Sequence, residues 1–215
     1  MKRIITCVLF VSINLSSQIK LQGKGGLSYP VDIDGYEVEL YRYWKIGLNA
    51  GVNADIQLSK IFAVKPTITY QYIFFNDYTQ EVIAGSKAIS SDGNESHIIN
   101  LGGELCIEDN SDGTTHPFLF LGGGYAIERP GKMNIAWKEF ENPSRDIYTT
   151  EYQIQNRNYW YYSAGFGFGY SIADDLDIRT VISYFANKVK VPTQYKTYNS
   201  YWLLSCSLVY DILKL

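Results

Sequence analysis

The feature that most constrains this chain is an alternation of apolar and polar residues with a period of two. From Gln18 onward the alternation recurs in eight segments, separated by polar stretches that contain Gly, Pro, Asn and Asp. Successive side chains of a β-strand point to opposite faces, so each segment predicts a strand with one apolar and one polar face. We expect strands over residues 18–30, 41–56, 60–75, 96–108, 116–128, 158–172, 176–189 and 200–212. The fifth is the least regular, because Phe118 and Phe120 share its otherwise small or polar face.

The connections between these segments fall into two classes. Short connections over residues 57–59, 109–115 and 173–175 follow the even-numbered segments, and longer ones over 31–39, 76–95, 129–157 and 190–199 follow the odd-numbered segments. Strict alternation of short and long connections is typical of up-and-down barrels in outer membranes, with tight periplasmic turns and long extracellular loops. We therefore predict an all-β fold, an eight-stranded antiparallel transmembrane β-barrel.

Alternation alone also fits a soluble barrel, so three further features are needed to distinguish a membrane barrel from a soluble one. The segments run 12–16 residues, and a tilted membrane strand needs about 9–11. Polar faces carry charged residues such as Lys65 and Glu104 in mid-strand. Aromatic residues gather at the segment ends and predict two interfacial girdles: Tyr29, Tyr43, Trp44, Tyr72, Phe74, Tyr159, Trp160, Tyr162, Tyr184, Tyr201 and Trp202 on the loop side, and Phe62, Tyr170 and Tyr210 on the turn side. The alternative is a soluble periplasmic barrel that binds a ligand in an apolar interior.

The first 17 residues predict a secretory signal peptide, leaving residues 18–215 as the barrel domain. Lys2 and Arg3 precede an apolar stretch over residues 4–15, and Ser16 and Ser17 offer small residues for cleavage. Without this segment the chain has 17 basic and 22 acidic residues, a formal charge of -5. A net acidic chain does not favour nucleic-acid binding.

Three glycine-rich and aromatic-rich strands resemble those of a known group. They lie at 161–171 (YYSAGFGFGYS), 45–55 (KIGLNAGVNAD) and 118–126 (FLFLGGGYA). The chain is similar to small outer-membrane β-barrels of the kind represented by OmpX and the membrane domain of OmpA. The resemblance implies a monomer in the outer membrane of a Gram-negative-type bacterium, with membrane lipid, lipopolysaccharide and the barrel-assembly machinery as partners. Such proteins usually end on an aromatic residue, whereas this chain ends on Leu215, and Tyr210 is the aromatic residue that could serve.

Charged residues on the inward faces predict a polar cluster in the lumen. Its expected members are Lys65, Glu104, Arg179, Asp55 and Asp177, with Lys65 and Glu104 adjacent on neighbouring strands. The interior of an eight-stranded barrel is only wide enough to be filled by side chains. We therefore expect ion pairs that plug the lumen, with a narrow porin-like ion path as the alternative.

The sequence gives little support for enzymatic chemistry. His97 and His116 are expected at opposite ends of the barrel, and His97 follows Glu95 and Ser96 directly, although adjacent strand residues point to opposite faces. Glycine clusters lie inside strands and lack the strand-to-helix context of phosphate-binding loops. We predict no catalytic residue, no metal and no cofactor. We also predict no disulfide, because Cys106 faces inward and Cys206 outward.

The long loops are the part of the chain where we expect function. The loop over 129–157 carries Trp137, Phe140 and Tyr148, and its stretch 149–155 alternates enough to continue the sixth strand beyond the membrane. The loop over 76–95 reads as polar and flexible, with 90–94 (SSDGN) at its tip. Exposed aromatic residues on rigid hairpins often recognise partners, but the same residues could pack together and cap the barrel. The sequence thus predicts a structural and surface-contact protein with an unknown extracellular partner.

Overall fold

The computed structural model describes residues 18–31, 44–75, 82–83, 86–108, 114–139, 147–153, 156–187 and 200–213. The predicted signal peptide lies outside these residues. Within them the chain forms the strands β1 (Ile19–Val31), β2 (Trp44–Gln57), β3 (Phe62–Phe75), β4 (Val82–Ile83), β5 (Ser86–Gly93), β6 (Ser96–Glu108), β7 (Thr115–Arg129), β8 (Lys132–Glu139), β9 (Tyr148–Gln153), β10 (Arg157–Ala173), β11 (Leu176–Asn187) and β12 (Ser200–Leu213).

Eight of these strands form a closed antiparallel barrel. Its order is β1-β12-β11-β10-β7-β6-β3-β2, and the pairing of β1 with β12 closes the ring. Closure satisfies the hydrogen-bonding groups at the sheet edges, which an open sheet would leave unpaired. The eight predicted strands are the eight barrel strands, so the predicted fold class is confirmed. Their ends differ from the prediction by at most three residues, at the start of β2.

A second, four-stranded sheet stands at the loop end of the barrel, in the order β4-β5-β8-β9. Its strands precede or follow barrel strands closely: β5 leads into β6 through Asn94 and Glu95, and β7 leads into β8 through Pro130 and Gly131. The pairing of β5 with β8 and of β8 with β9 continues the pairing of β6 with β7 and of β7 with β10. The sheet is therefore an outward extension of one side of the barrel wall.

The extension corrects one prediction and refines another. Residues 90–93 lie inside β5 and pair with β8, so 90–94 is not the tip of a flexible loop. The turn-forming residues there are held in a strand because a neighbouring strand supplies their hydrogen bonds. The stretch 149–155 does supply a strand beyond the barrel, but β9 belongs to the second sheet and ends at Gln153.

The two faces of the barrel wall carry opposite chemistry. In β7, Leu121 is 70% exposed on the outside while the neighbouring Phe120 is 6% exposed inside. Elsewhere the outside is leucine, isoleucine, valine and aromatic rings, and buried Asn, Gln, Ser, Thr and charged side chains line much of the inside. Two predicted girdle residues, Tyr159 and Tyr201, instead point inward and are buried, because they occupy inward positions of the alternation.

The two cysteines of the described residues lie on opposite faces of the wall. Cys106 is buried in the lumen and Cys206 is exposed on the outside, the orientations that the alternation predicts. No helix in the described ranges is long and apolar enough to cross a membrane.

Candidate functional site: the lumen and the sheet that covers it

Arg179 is the centre of a charged cluster at the turn end of the lumen. Its Nη1 donates to Asp55 Oδ2 at 3.0 Å and its Nη2 to Glu108 Oε1 at 2.7 Å. Asp177 Oδ2 lies 3.9 Å from Nη2. The guanidinium thus joins β11 to β2 and β6, which lie across the lumen. Its rigid fork suits this bridge, because two donors point to two carboxylates at once.

Lys65 extends the same cluster. Its ammonium lies 3.2 Å from Asp55 Oδ2 and 3.7 Å from Glu108 Oε2. Glu104 stands directly opposite Lys65 on the neighbouring strand, as predicted, but these ion pairs of Lys65 run to Asp55 and Glu108. The Phe118 ring covers the cluster, with its centroid 4.8 Å from Lys65 Nζ and 5.4 Å from Arg179 Cζ. Cations over the face of a ring are attracted by its quadrupole.

Lys20 closes the turn end of the lumen. Its ammonium lies 3.3 Å from both Asp177 Oδ2 and Asp211 Oδ1, and Gln18 donates a hydrogen bond to Asp211. These contacts link β1 to β11 and β12 around the closing seam of the barrel. The sequence predicted Asp177 as a lumen residue but did not predict this pairing, which depends on strands far apart in the chain.

His116 also joins the turn-end network. Its Nε2 lies 2.9 Å from Ser171 Oγ, and Ser171 donates to Asp177 Oδ1 at 2.7 Å. The three residue types are those of a hydrolytic triad, but the order is wrong. A triad requires the carboxylate to orient the imidazole, and the serine to pass its proton to the imidazole. Here the Asp177 carboxylate accepts the hydrogen bond of the Ser171 hydroxyl and does not orient the imidazole, so the geometry is that of a structural network.

A polar layer with a small cavity lies above the charged cluster. The cavity has a volume of about 20 Å³ and is lined in part by Lys24, Glu104, Asn53 and Ser205. Such a volume holds about one water molecule. Asn53 accepts from Thr67 at 2.7 Å, and most neighbouring polar residues are bonded across strands in the same way. The lumen here is filled by its own side chains, as expected for eight strands.

The loop end of the lumen is apolar and covered. Phe185 stacks on Tyr201 at 5.1 Å and packs against Tyr161 at 5.3 Å, and Tyr201 donates to Asn100. These rings belong to one buried cluster with side chains of the second sheet. The cluster consists of Ile73, Ala88, Ile98, Ala126, Met133, Ile135, Trp137, Tyr159, Tyr161, Phe185, Tyr201 and Leu203. The inner face of the second sheet therefore covers the mouth of the barrel, and we call this sheet the cap.

The predicted recognition residues differ in their exposure to solvent. Trp137 is 3% exposed and packs in the cap cluster, which favours the packing alternative for this residue. Tyr148 is 42% exposed, and its hydroxyl donates to Ser86 at 3.0 Å. Phe140 lies outside the described residues.

One ion pair at the junction of barrel and cap escaped sequence reasoning. Arg157 Nη2 donates to Glu128 Oε1 at 2.7 Å, and Glu128 is buried. Glu128 ends the predicted fifth strand, whereas Arg157 fell in the predicted loop over 129–157, and the two face each other in the β7–β10 register. Continuing the alternation of the fifth strand to its last residue puts Glu128 on the inward face, so a search for inward acids near strand ends would have found this member of the pair.

The described residues hold no group of three or more His, Cys, Asp or Glu side chains that could bind a metal ion. The lumen instead offers ion pairs at one end, a hydrogen-bonded polar layer in the middle and an apolar cluster beneath the cap. Side chains thus occupy the described lumen in three layers of different chemistry.

Glycines on the inward face make room for the bulky lumen residues. Gly165 stands opposite Phe120, and an added Cβ would lie 2.5 Å from Phe120 Cζ and 2.6 Å from the Ile182 carbonyl oxygen. We expect Gly165→Ala to lower the free energy of unfolding by about 1–3 kcal/mol through overpacking. The outward Gly103 has open space around it, so Gly103→Ala is the matched control. Urea unfolding in liposomes measures both, and equal stability of the two variants would contradict this packing role.

Comparison with known proteins identifies solved structures with a similar architecture. No protein-family model matches the sequence, and no curated protein is significantly similar to it. The outer membrane protein OprG from Pseudomonas aeruginosa superposes with a TM-score of 0.52 at 11% identity, over 92% of this chain and 96% of that chain. Neisserial surface protein A superposes with a TM-score of 0.50 at 10% identity, over 90% and 97% of the two chains. The fold is that of a small outer-membrane β-barrel. At 10% and 11% identity the similarity shows a shared fold and does not show a shared activity.

Proposed function

We propose that this chain is an integral outer-membrane protein with a plugged lumen, whose cap contacts a partner outside the cell. The observation that carries the proposal is that the barrel wall is apolar on its outside and polar on its inside, the reverse of a soluble protein. Outward Leu, Ile, Phe and Trp side chains are exposed, while Arg179, Lys65 and Glu108 are buried. A surface of this kind is stable in lipid, where an apolar outer band and a polar interior are the rule. A soluble ligand carrier would need the opposite arrangement.

The likeness to solved outer-membrane proteins supports this location. Residues 1–17 act in the proposal as a signal peptide that is removed on export, and the turn end of the barrel faces the periplasm. Membrane lipid, lipopolysaccharide and the assembly machinery are the partners that insertion implies. The cap then lies outside the cell, on the side of the long connections.

Refolding residues 18–215 in detergent and liposomes tests the location. We expect unboiled protein to migrate differently from boiled protein, and liposomes to protect the barrel strands from protease. A water-soluble maleimide should label neither thiol of the protein in liposomes and both thiols after unfolding, because Cys206 faces the lipid and Cys106 faces the lumen. A chain that stays folded in water without detergent would contradict the proposal.

Conductance across planar bilayers tests the plug. The buried ion pairs and the covered mouth lead us to expect currents no greater than background. Steady single-channel currents would instead support the second candidate, a narrow porin-like channel. The polar middle layer with its water-sized cavity is the observation that favours that candidate.

A further inference from the structure

Two lysines face each other at the end of the cap farthest from the barrel. Lys87 on β5 stands directly opposite Lys138 on β8, and both are exposed. Their neighbours Ala88 and Trp137 also pair with each other and are buried in the cap cluster. The lysines therefore point away from the barrel. Opposed side chains in an antiparallel pair have their Cβ atoms about 4.5–5.5 Å apart, so the two lysine side chains leave the sheet from one small area of its surface.

This placement costs stability, because like charges directly opposite each other repel. Several other cations of the described residues do have carboxylate partners. Five of them form ion pairs with carboxylates: Lys20, Lys65, Lys132, Arg157 and Arg179. Neither Lys87 nor Lys138 takes part in an ion pair within the described ranges. A cationic pair that no carboxylate of the described residues neutralises is complementary to an acidic group of a partner.

Two isoleucines near the lysines narrow the chemistry of the partner. Ile89 is 38% exposed and Ile147 is 57% exposed. Ile147 directly precedes Tyr148, which pairs with Trp137, so continuing the β8–β9 register by one residue brings it next to Lys138. We call the four residues Lys87, Ile89, Lys138 and Ile147 the tip patch. A simple anion or a sulfated sugar would neutralise the lysines and leave the isoleucines in water. A protein segment with acidic and apolar side chains fits both.

We propose that the tip patch binds an acidic segment of another protein, whose carboxylates contact Lys87 and Lys138 and whose apolar side chain covers Ile89 and Ile147. The inference rests on the proposed function, because it requires the cap to face the outside of the cell. The inference adds the chemical class of the partner that binds the cap.

The test uses a synthetic peptide of alternating Glu and Leu residues, with the refolded protein in lipid nanodiscs. We expect Lys138→Glu to weaken peptide binding at least about tenfold, as loss of charge complementarity does. The same change should slow protease cleavage within the cap, because it turns a repulsive cross-strand pair into an attractive one. A merely structural role for Lys138 would not move binding and stability in opposite directions.

Two further variants complete the test. Lys132→Glu, on the same sheet but outside the tip patch, should bind the peptide like the unaltered protein. The double change Ile89→Ser and Ile147→Ser should weaken peptide binding several-fold. If Lys138→Glu bound the peptide as tightly as the unaltered protein does, the proposal would be overturned. A sulfated polysaccharide that binds as tightly as the peptide and is indifferent to the isoleucine changes would also overturn it.

The outcomes also separate this inference from the proposed function. Heat-modifiable migration and cap cleavage by protease on intact cells, without peptide binding, would refute the tip patch and leave the outer-membrane barrel standing. A chain that does not insert into liposomes would refute the proposed function itself.

Discussion

Replacing Arg179 by methionine is expected to lower the free energy of unfolding by about 3–5 kcal/mol. Methionine keeps much of the side-chain volume, so the loss of stability comes from removing the charge and not from creating a cavity. Arg179, Asp55 and Glu108 are each 1% exposed. Without the guanidinium, Lys65 alone neutralises the two carboxylates, and a buried carboxylate without its partner is costly. Equilibrium urea unfolding in liposomes, followed by tryptophan fluorescence, measures the effect.

Two control variants sharpen the result. Arg179→Lys keeps the charge but replaces the fork with a single ammonium, so its loss should fall between those of the unaltered protein and Arg179→Met. Lys132→Ala breaks the exposed ion pair with Glu151 and should change stability by less than about 1 kcal/mol. If Arg179→Met were as stable as Lys132→Ala, the central role of Arg179 in stabilising the charged cluster would be wrong.

Replacing Trp137 by alanine is expected to detach the cap from the mouth of the barrel. Trp137 is buried in the cluster that joins β8 to the rings of the upper lumen. Truncating a buried Trp to Ala costs about 3–5 kcal/mol, which raises the population of the open cap by about two to four orders of magnitude. Hydrogen exchange of the β5 and β8 amides in nanodiscs measures this opening.

The barrel itself should remain folded in this variant, because its strands pair with one another independently of the cap. We therefore expect heat-modifiable migration to persist while protease cleaves within the cap. Ile89→Ala is the matched control, since Ile89 lies on the same sheet but faces outward. Unchanged protection of the β5 and β8 amides in Trp137→Ala would show that the cap does not depend on this cluster.

The cap and the charged cluster are the parts that sequence reasoning reached least well. Alternation placed Lys65, Glu104 and Arg179 on the inward face correctly. It did not give their partners, because Arg179 meets residues 124 and 71 positions away in the chain. Such contacts depend on how far the strands are staggered when the sheet closes, and a period of two carries no information about stagger.

The errors at the loop end have a related cause. The residues 90–94 have turn-forming side chains, and only their pairing with β8 makes most of them a strand. Tyr159 and Tyr201 were assigned to the girdle by residue type, although their positions in the alternation are inward. Both rings are buried beneath the cap. Residue type predicted an interfacial role, and the apolar cluster formed by the cap gives the same rings a packing role.

The sequence by itself determined the eight barrel strands and which side chains face outward. Each of these features follows from spacing along one strand, since neighbouring side chains must point to opposite faces. Only the tertiary structure decided that Trp137 is buried, that Lys65 pairs with Asp55, and that a second sheet covers the lumen. Those features depend on distances between strands that are remote in the chain, and such distances are set when the barrel closes and the extended hairpins pack across its mouth.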